Sequence, residues 1–150
     1  MGKSGRNGET GAMTTIEFKD YSAECKEEIE SRVLKALTMC GMVIERAAKG
    51  LATVDTGLLR NSITWALAGK KPAAKSYKAD KPKNGVIQTG EYSGTAPNDD
   101  ELSVFIGTNV EYAPYVELGT SRQEAQPFLK PAAANSKNAL EQCFKKAFEE

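Results

Sequence analysis

The sequence predicts an α+β domain: a small antiparallel sheet with a long N-terminal helix and a C-terminal helix packed on one face. Three observations predict it. Apolar residues recur at every third or fourth position over residues 20–51. Two short segments, residues 63–67 and 101–108, alternate apolar and polar side chains as strands do. A second helical stripe follows Pro131. The order helix, turn, strand, insertion, strand, helices favours this class over a parallel α/β fold.

The first helix is predicted over residues 20–51 from an apolar stripe. Its members are Ile29, Val33, Leu37, Cys40, Ile44 and Leu51. Gly41 interrupts the stripe at a cost of about 1 kcal/mol in helix propensity, so we expect another element to approach the helix closely there. After the helix, Asp55 is expected to cap a short helical turn through Leu58 and Leu59.

Two strands are predicted around an insertion at residues 69–100. Ile63, Trp65 and Leu67 alternate in the first strand, and Leu102, Val104 and Ile106 alternate in the second. The insertion is rich in Pro and Gly and is expected to be a variable loop or hairpin, with a short strand at residues 86–89.

Positive and negative charges are also separated along the sequence of the insertion. One half carries a single acid, Asp80, and six bases, hence +5: Lys70, Lys71, Lys75, Lys78, Lys81 and Lys83. The other half carries four acids and no base, hence −4: Glu91, Asp99, Asp100 and Glu101.

The C-terminal third is predicted to be helical. Pro114 suits the first turn of a short helix that Gly119 ends, and Pro131 is expected to open the final helix. Phe128 and Leu129 lie between two prolines. An exposed pair would be a contact anchor, whereas a buried pair would dock the last helix on the core.

Composition excludes several classes of function. The 150 residues suit a single domain, which we place at residues 13–150, with residues 1–12 as a cloning remnant or a disordered arm that lacks the apolar segment of a signal peptide. No apolar run approaches the roughly 20 residues that cross a bilayer, so no membrane association is expected. Twenty bases balance twenty acids, which argues against a protein that coats nucleic acid. The chain has no histidine, the commonest general base and metal ligand.

Candidate chemical sites are few. Cys25, Cys40 and Cys143 have no metal-ligand or disulfide spacing, and we expect them to be buried apolar residues in a reducing compartment. No metal, cofactor or small-molecule substrate is predicted. Glu117 is expected to pair with Arg60, because a guanidinium can tie a turn to a helix by a bidentate contact.

The tripeptide Asp55-Thr56-Gly57 also occurs in aspartic proteases. In the dimeric enzymes of this kind, that chemistry needs two carboxylates that share a proton, one from each subunit, held in a rigid all-β loop. Here a long helix precedes the tripeptide and two leucines follow it, so the fold context argues against a hydrolase through Asp55.

Three blocks in fixed order resemble a known family: DTGLLRNSI at residues 55–63, YAPYVELGT at residues 112–120 and QPFLKPA at residues 126–132. They are similar to the gene-product-ten-like tail components of long-tailed bacteriophages and prophages. The resemblance implies a structural virion protein that acts in tail completion or at the head-tail joint. It implies a homo-oligomeric ring, commonly hexameric, with phage tail and connector proteins as partners and no catalytic residues.

The resemblance also implies a location in the virion tail or neck, and in the bacterial cytoplasm during assembly or when the protein is expressed from a prophage. DNA in the lumen of the ring would be contacted without sequence specificity. The sorted charge of the insertion agrees with this picture, because opposite charges on one chain suit head-to-tail contacts that close into rings.

Within the blocks, residues fall into expected structural and contact roles. Asp55, Gly57 and Gly119 are expected to shape the backbone, and Leu59, Ile63, Val116 and Leu129 to be core. The predicted subunit or partner contacts are Tyr112, Tyr115, Glu117, Thr120, Arg122 and Phe128. Two alternatives stay open: a small nucleic-acid-binding module that uses the six lysines of residues 70–83, and the hydrolase through Asp55.

Overall fold

The computed structural model describes residues 20, 22–98 and 102–149. The expectations for residues 1–12 and for the acidic residues 99–101 fall outside these described residues. The elements are α1 (Ser22–Leu51), α2 (Leu58–Ser62), β1 (Thr64–Leu67), β2 (Ser76–Lys78), β3 (Thr89–Glu91), β4 (Val104–Gly107), α3 (Ala113–Leu118), α4 (Leu129–Asn135) and α5 (Lys137–Glu149).

Helix α1 is the longest element and confirms the first predicted helix. Its 30 residues extend about 45 Å at 1.5 Å per residue. Its buried residues keep the helical spacing and include Ala36, Cys40, Ile44 and Ala48. A Cβ atom added at Gly41 would lie 2.8 Å from the indole ring of Trp65, which confirms the close approach that the glycine predicts.

Strands β1 and β4 form the predicted antiparallel pair. Trp65 lies opposite Ile106, and Ala66 lies opposite Phe105. Trp65 reaches Gly41 of α1, so this face of the pair packs against α1. Among the described residues the only other paired strands are β2 and β3, and the protein has the α+β architecture that the sequence predicts.

The insertion starts along the edge of β1, where the N–H of Ala73 donates to the carbonyl of Trp65 at 2.9 Å. Its strands β2 and β3 form an antiparallel hairpin in which Tyr77 lies opposite Gly90. The expected strand at residues 86–89 is displaced, because β3 begins only at Thr89. Asn84 and Gly85 both have positive φ, and the tight turn that they make pairs Val86 back to Lys83 as an isolated bridge.

The described residues after β4 form three helices, α3, α4 and α5. Helix α3 ends before Gly119, which has a φ of 77°. The expectation of one final helix from Pro131 was wrong, because α4 begins at Leu129 and the helix is interrupted at Ser136. The Ser136 hydroxyl donates to the carbonyl of Ala132 at 2.6 Å, and such local bonds compete with regular helix pairing.

The core lies where α1, α2, α3, α4 and the hairpin meet. Its largest fully buried side chains include Phe128 and Ile63. The expectation that every cysteine is buried was wrong for Cys25, which lies in the exposed first turns of α1, and Cys143 is only partly buried. Cys40 is buried, and burial, with a smaller contribution from Cys143, raises the pKa of its thiol to about 11. No helix in the described part of the chain is both long and apolar enough to cross a membrane.

Candidate functional site

The first two sequence blocks meet at a cleft between α2 and α3, which we call the α2–α3 cleft. Its volume is about 480 Å³. It is lined by Thr53, Asp55, Thr56, Gly57, Leu58, Leu59, Lys83, Gln88, Tyr112, Tyr115, Val116 and Gln123. Three of these lining residues lie outside the sequence blocks. The insertion contributes Lys83 and Gln88, and the loop after α3 contributes Gln123. No pattern in the sequence of either segment predicts that it reaches this cleft.

The turn before α2 is shaped by Gly57 and does not use Asp55 as a cap. Gly57 is the residue that precedes the helix, with a φ of 88°, and Asp55 lies exposed two positions earlier. The N–H of Leu58 instead donates to the Thr56 hydroxyl at 3.4 Å. The expected Asp55 cap was therefore wrong, because the left-handed glycine separates its carboxylate from the start of the helix.

The predicted Arg60–Glu117 pair does not form in the protomer. The Arg60 guanidinium binds the Asp80 carboxylate in the insertion. The Asn61 amide also donates to Asp80, at 3.0 Å, and the Asp80 N–H donates to the carbonyl of Thr56 at 2.8 Å. Arg60 therefore ties α2 to the hairpin, through a partner twenty residues away that the sequence blocks do not contain.

Glu117 lies near the end of α3 and caps the start of α4, although the first N–H group that it binds is eleven residues further along the chain. Its carboxylate accepts from three successive backbone N–H groups, those of Phe128 at 2.6 Å, Leu129 at 3.2 Å and Lys130 at 2.9 Å. Burial alone would raise the pKa of Glu117, but these three hydrogen bonds and the Lys130 charge outweigh it and hold the pKa below its usual value. The capping joins α3 to α4 across the intervening loop.

Two of the six expected contact residues thus have structural roles inside the protomer. The Glu117 carboxylate is occupied by α4, and the Phe128 side chain is fully buried. The expectation of Phe128 as a contact residue was wrong, because the pair at 128–129 docks the terminal helices on the core. Leu129 packs against the same core.

The other four expected contact residues lie on the surface. Tyr112 and Tyr115 are 43% and 60% exposed, and Thr120 and Arg122 are also exposed. Partial burial and then the Asp55 charge raise the pKa of Tyr112, against a weaker opposing hydrogen bond from the Leu59 backbone.

Sequence reasoning missed Leu118, which follows on the same helix as Tyr115. Its side chain is 78% exposed, the largest exposed fraction among the large apolar side chains of the described residues. The sequence signal for Leu118 as a contact residue was its position, since it is an apolar residue immediately before the glycine that ends the helix.

All six lysines of residues 70–83 are exposed. Glu91 belongs to β3 and lies opposite Ser76 of β2, so one acid of the predicted −4 segment shares the hairpin with the basic strand. The hairpin therefore presents positive charge with at least one acid beside it.

The titratable side chains among the described lining of the cleft are Asp55, Lys83, Tyr112 and Tyr115. Among its described lining residues Asp55 is the only carboxylate, so aspartic protease chemistry would need a second carboxylate from another subunit. No cluster of three or more potential metal ligands occurs in the described ranges.

The fold and the site define a small α+β domain. Its three sequence blocks build a glycine turn before α2, an exposed aromatic helix α3, and a junction in which Glu117 caps α4. A family model described as "Bacteriophage HK97-gp10, putative tail-component" matches residues 16–119, and the chain belongs to this family of phage tail components. This confirms the resemblance inferred from the sequence blocks. Searches of curated proteins and of solved structures each found no match.

Proposed function

We propose that the protein is a structural virion component of a long-tailed phage or prophage, which acts in tail completion or at the head-tail joint by assembling into a ring. The observation that carries the proposal is the family match over residues 16–119. The protein would work by contact and not by catalysis, in agreement with a chain that has no histidine and a cleft whose described lining has one carboxylate.

The exposed surface of α3 supports assembly. Tyr112, Tyr115 and Leu118 place three large apolar side chains in water within seven residues of the chain. Exposed apolar side chains that lie together mark interaction sites in soluble proteins, and aromatic residues are enriched at the centres of interfaces. A head-to-tail contact between copies closes into a ring when its rotation permits, and we propose a ring, hexameric as is common in such assemblies.

The partners would be further copies of the chain, phage tail proteins and the connector. DNA that passes through the lumen would meet the exposed lysines of residues 70–83 without sequence-specific readout, because phosphate contacts carry no sequence information. The protein would be located in the tail or neck of the virion, after assembly in the bacterial cytoplasm.

The test is the mass of the full chain in solution, measured by light scattering over a concentration series, alone and with tail and connector proteins of the same phage. We expect a defined oligomer, formed by the chain alone or on its partners, and ring-shaped particles in electron micrographs. A strict monomer at every concentration that never associates with tail or connector proteins would contradict the proposal.

A small nucleic-acid-binding module is the second candidate, and the exposure of all six lysines favours it. Phosphate binding through lysines must weaken steeply with salt. DNA binding that is insensitive to salt, or that survives replacement of the six lysines by glutamine, would exclude this function.

A further inference from the structure

An apolar groove runs between α4 and α5, and we call it the α4–α5 groove. Its volume is about 710 Å³. Four of its lining residues are apolar: Ala133, Ala134, Leu140 and Phe144. Lys137, Glu141 and Lys145 complete the lining, which therefore carries an excess of positive charge. The groove lies beyond the residues that the family model matches, so family membership assigns it no role.

A matching projection stands on α3. Tyr115 and Leu118 are three residues apart and therefore lie on one face of the helix, 60% and 78% exposed. The helix that carries them is firmly held, because Ala113 is buried, Val116 packs on the core and Glu117 binds the start of α4. We call Tyr115 and Leu118 the α3 knob.

The charges beside the two surfaces are complementary. Along the sequence, exposed acids precede and follow the α3 knob at Glu111 and Glu124. The charged residues on and around α3 have one acid in excess: Glu111, Asp55, Glu117 and Glu124 against Lys83, Arg122 and Lys130. The α4–α5 groove is edged by two lysines and one glutamate. Such complementarity steers association and fixes the register of a contact.

We propose that the α3 knob of one copy inserts into the α4–α5 groove of the next copy. This contact rests on the proposed ring assembly and specifies its interface. The groove is broad and open to solvent, so an aromatic and an aliphatic side chain that project from a neighbouring helix can lie against it together. Because the knob and the groove are different surfaces, the contact is head to tail: it leaves the groove of the first copy and the knob of the second copy free for further copies.

The test is complementation between two variants of the full chain. Leu118→Asp damages the knob and leaves the groove, whereas Ala134→Glu places a charged side chain in the groove and leaves the knob. Each variant alone is expected to lose self-association and to run as a monomer under conditions in which the wild type assembles. Mixed in equal amounts, they are expected to form a dimer and nothing larger, because one intact knob meets one intact groove.

Matched controls separate this contact from general surface effects. Val86→Asp changes an apolar residue of the hairpin that is 63% exposed, and Ala23→Glu changes an exposed alanine of α1. Both controls are expected to keep the wild-type mass. Tyr115→Asp and Ala133→Glu repeat the pair at neighbouring positions, and unfolding curves verify that each variant is folded.

The outcomes distinguish the contact from the proposed function. Two results overturn the contact: variants that assemble like the wild type, and folded monomeric variants whose mixture never dimerises. Ring assembly would then have to use another surface. A groove variant that still self-associates but loses a tail or connector protein assigns the groove to that partner and also overturns the contact. Wild type that stays monomeric with and without partners overturns both proposals.

Discussion

Replacement of Glu117 by glutamine tests how the α3–α4 junction is held. The carboxylate accepts three backbone hydrogen bonds, and its Oε2 atom takes two of them. Glutamine keeps the shape but offers one acceptor oxygen and turns an NH2 group toward N–H donors. Helix caps contribute about 0.5–2 kcal/mol and hydrogen bonds to charged groups about 1.5–3 kcal/mol. Because the site is only partly buried, we expect a loss of about 1–2 kcal/mol.

The pH dependence follows from the direction of the pKa shift. The folded protein holds the pKa of Glu117 below its usual value of 4.5, so the unfolded chain binds the proton more tightly. The stabilisation is therefore complete above about pH 4.5 and is lost as the pH falls through the lower pKa of the folded state. The wild type and Glu117→Gln should differ most at neutral pH and converge in acid.

The assay is urea unfolding from pH 7 downward, with Glu111→Gln as the matched control, since Glu111 is exposed on the same segment. Thermal unfolding at neutral pH should show a fall of roughly 2–8 °C for Glu117→Gln, from about 2–4 °C per kcal/mol in a domain of this size. If Glu117→Gln is no less stable than the control, or if its deficit is the same at every pH, the capping account is wrong.

Three further substitutions test the packing. Gly41→Val should destabilise the fold by about 1–3 kcal/mol in urea, because a Cβ 2.8 Å from the Trp65 ring must push α1 off the sheet; unchanged stability would refute this contact. Tyr92→Phe should leave stability unchanged or raise it by about 1 kcal/mol, because the buried hydroxyl has no hydrogen-bond partner among the described residues, and a clear loss would reveal one. Gly119→Ala should lower the melting temperature, since its φ of 77° disfavours a side chain and the new Cβ would lie 2.7 Å from the Ala125 nitrogen; an unaffected melting curve would contradict that geometry.

The elements that could be predicted from sequence are those whose signals are local. The spacing of apolar residues in α1 and the proline and glycine that bound α3 depend on neighbours within a few positions. The close approach at Gly41 was predictable for the same reason, since a glycine inside a strong helical pattern needs an external cause.

The partners of charged groups could not be predicted in the same way. Arg60 binds Asp80 from the insertion, and Glu117 binds backbone N–H groups that any sequence at 128–130 other than proline would supply. In both cases the partner is determined by the path that a loop takes in three dimensions. The identity of the charged side chain alone does not predict that path. Phe128 illustrates the same limit, because the flanking prolines predict a fixed position but not whether core or water surrounds it.

The most direct measurement of the central claim is the morphology of particles made by the parent phage or induced prophage after the gene is deleted. Electron microscopy should show filled heads and tails that fail to join, or tails that lack a normal end, and infectivity should return when the wild-type gene is supplied in trans. Normal, fully joined and infectious particles from the deletion strain would contradict the account.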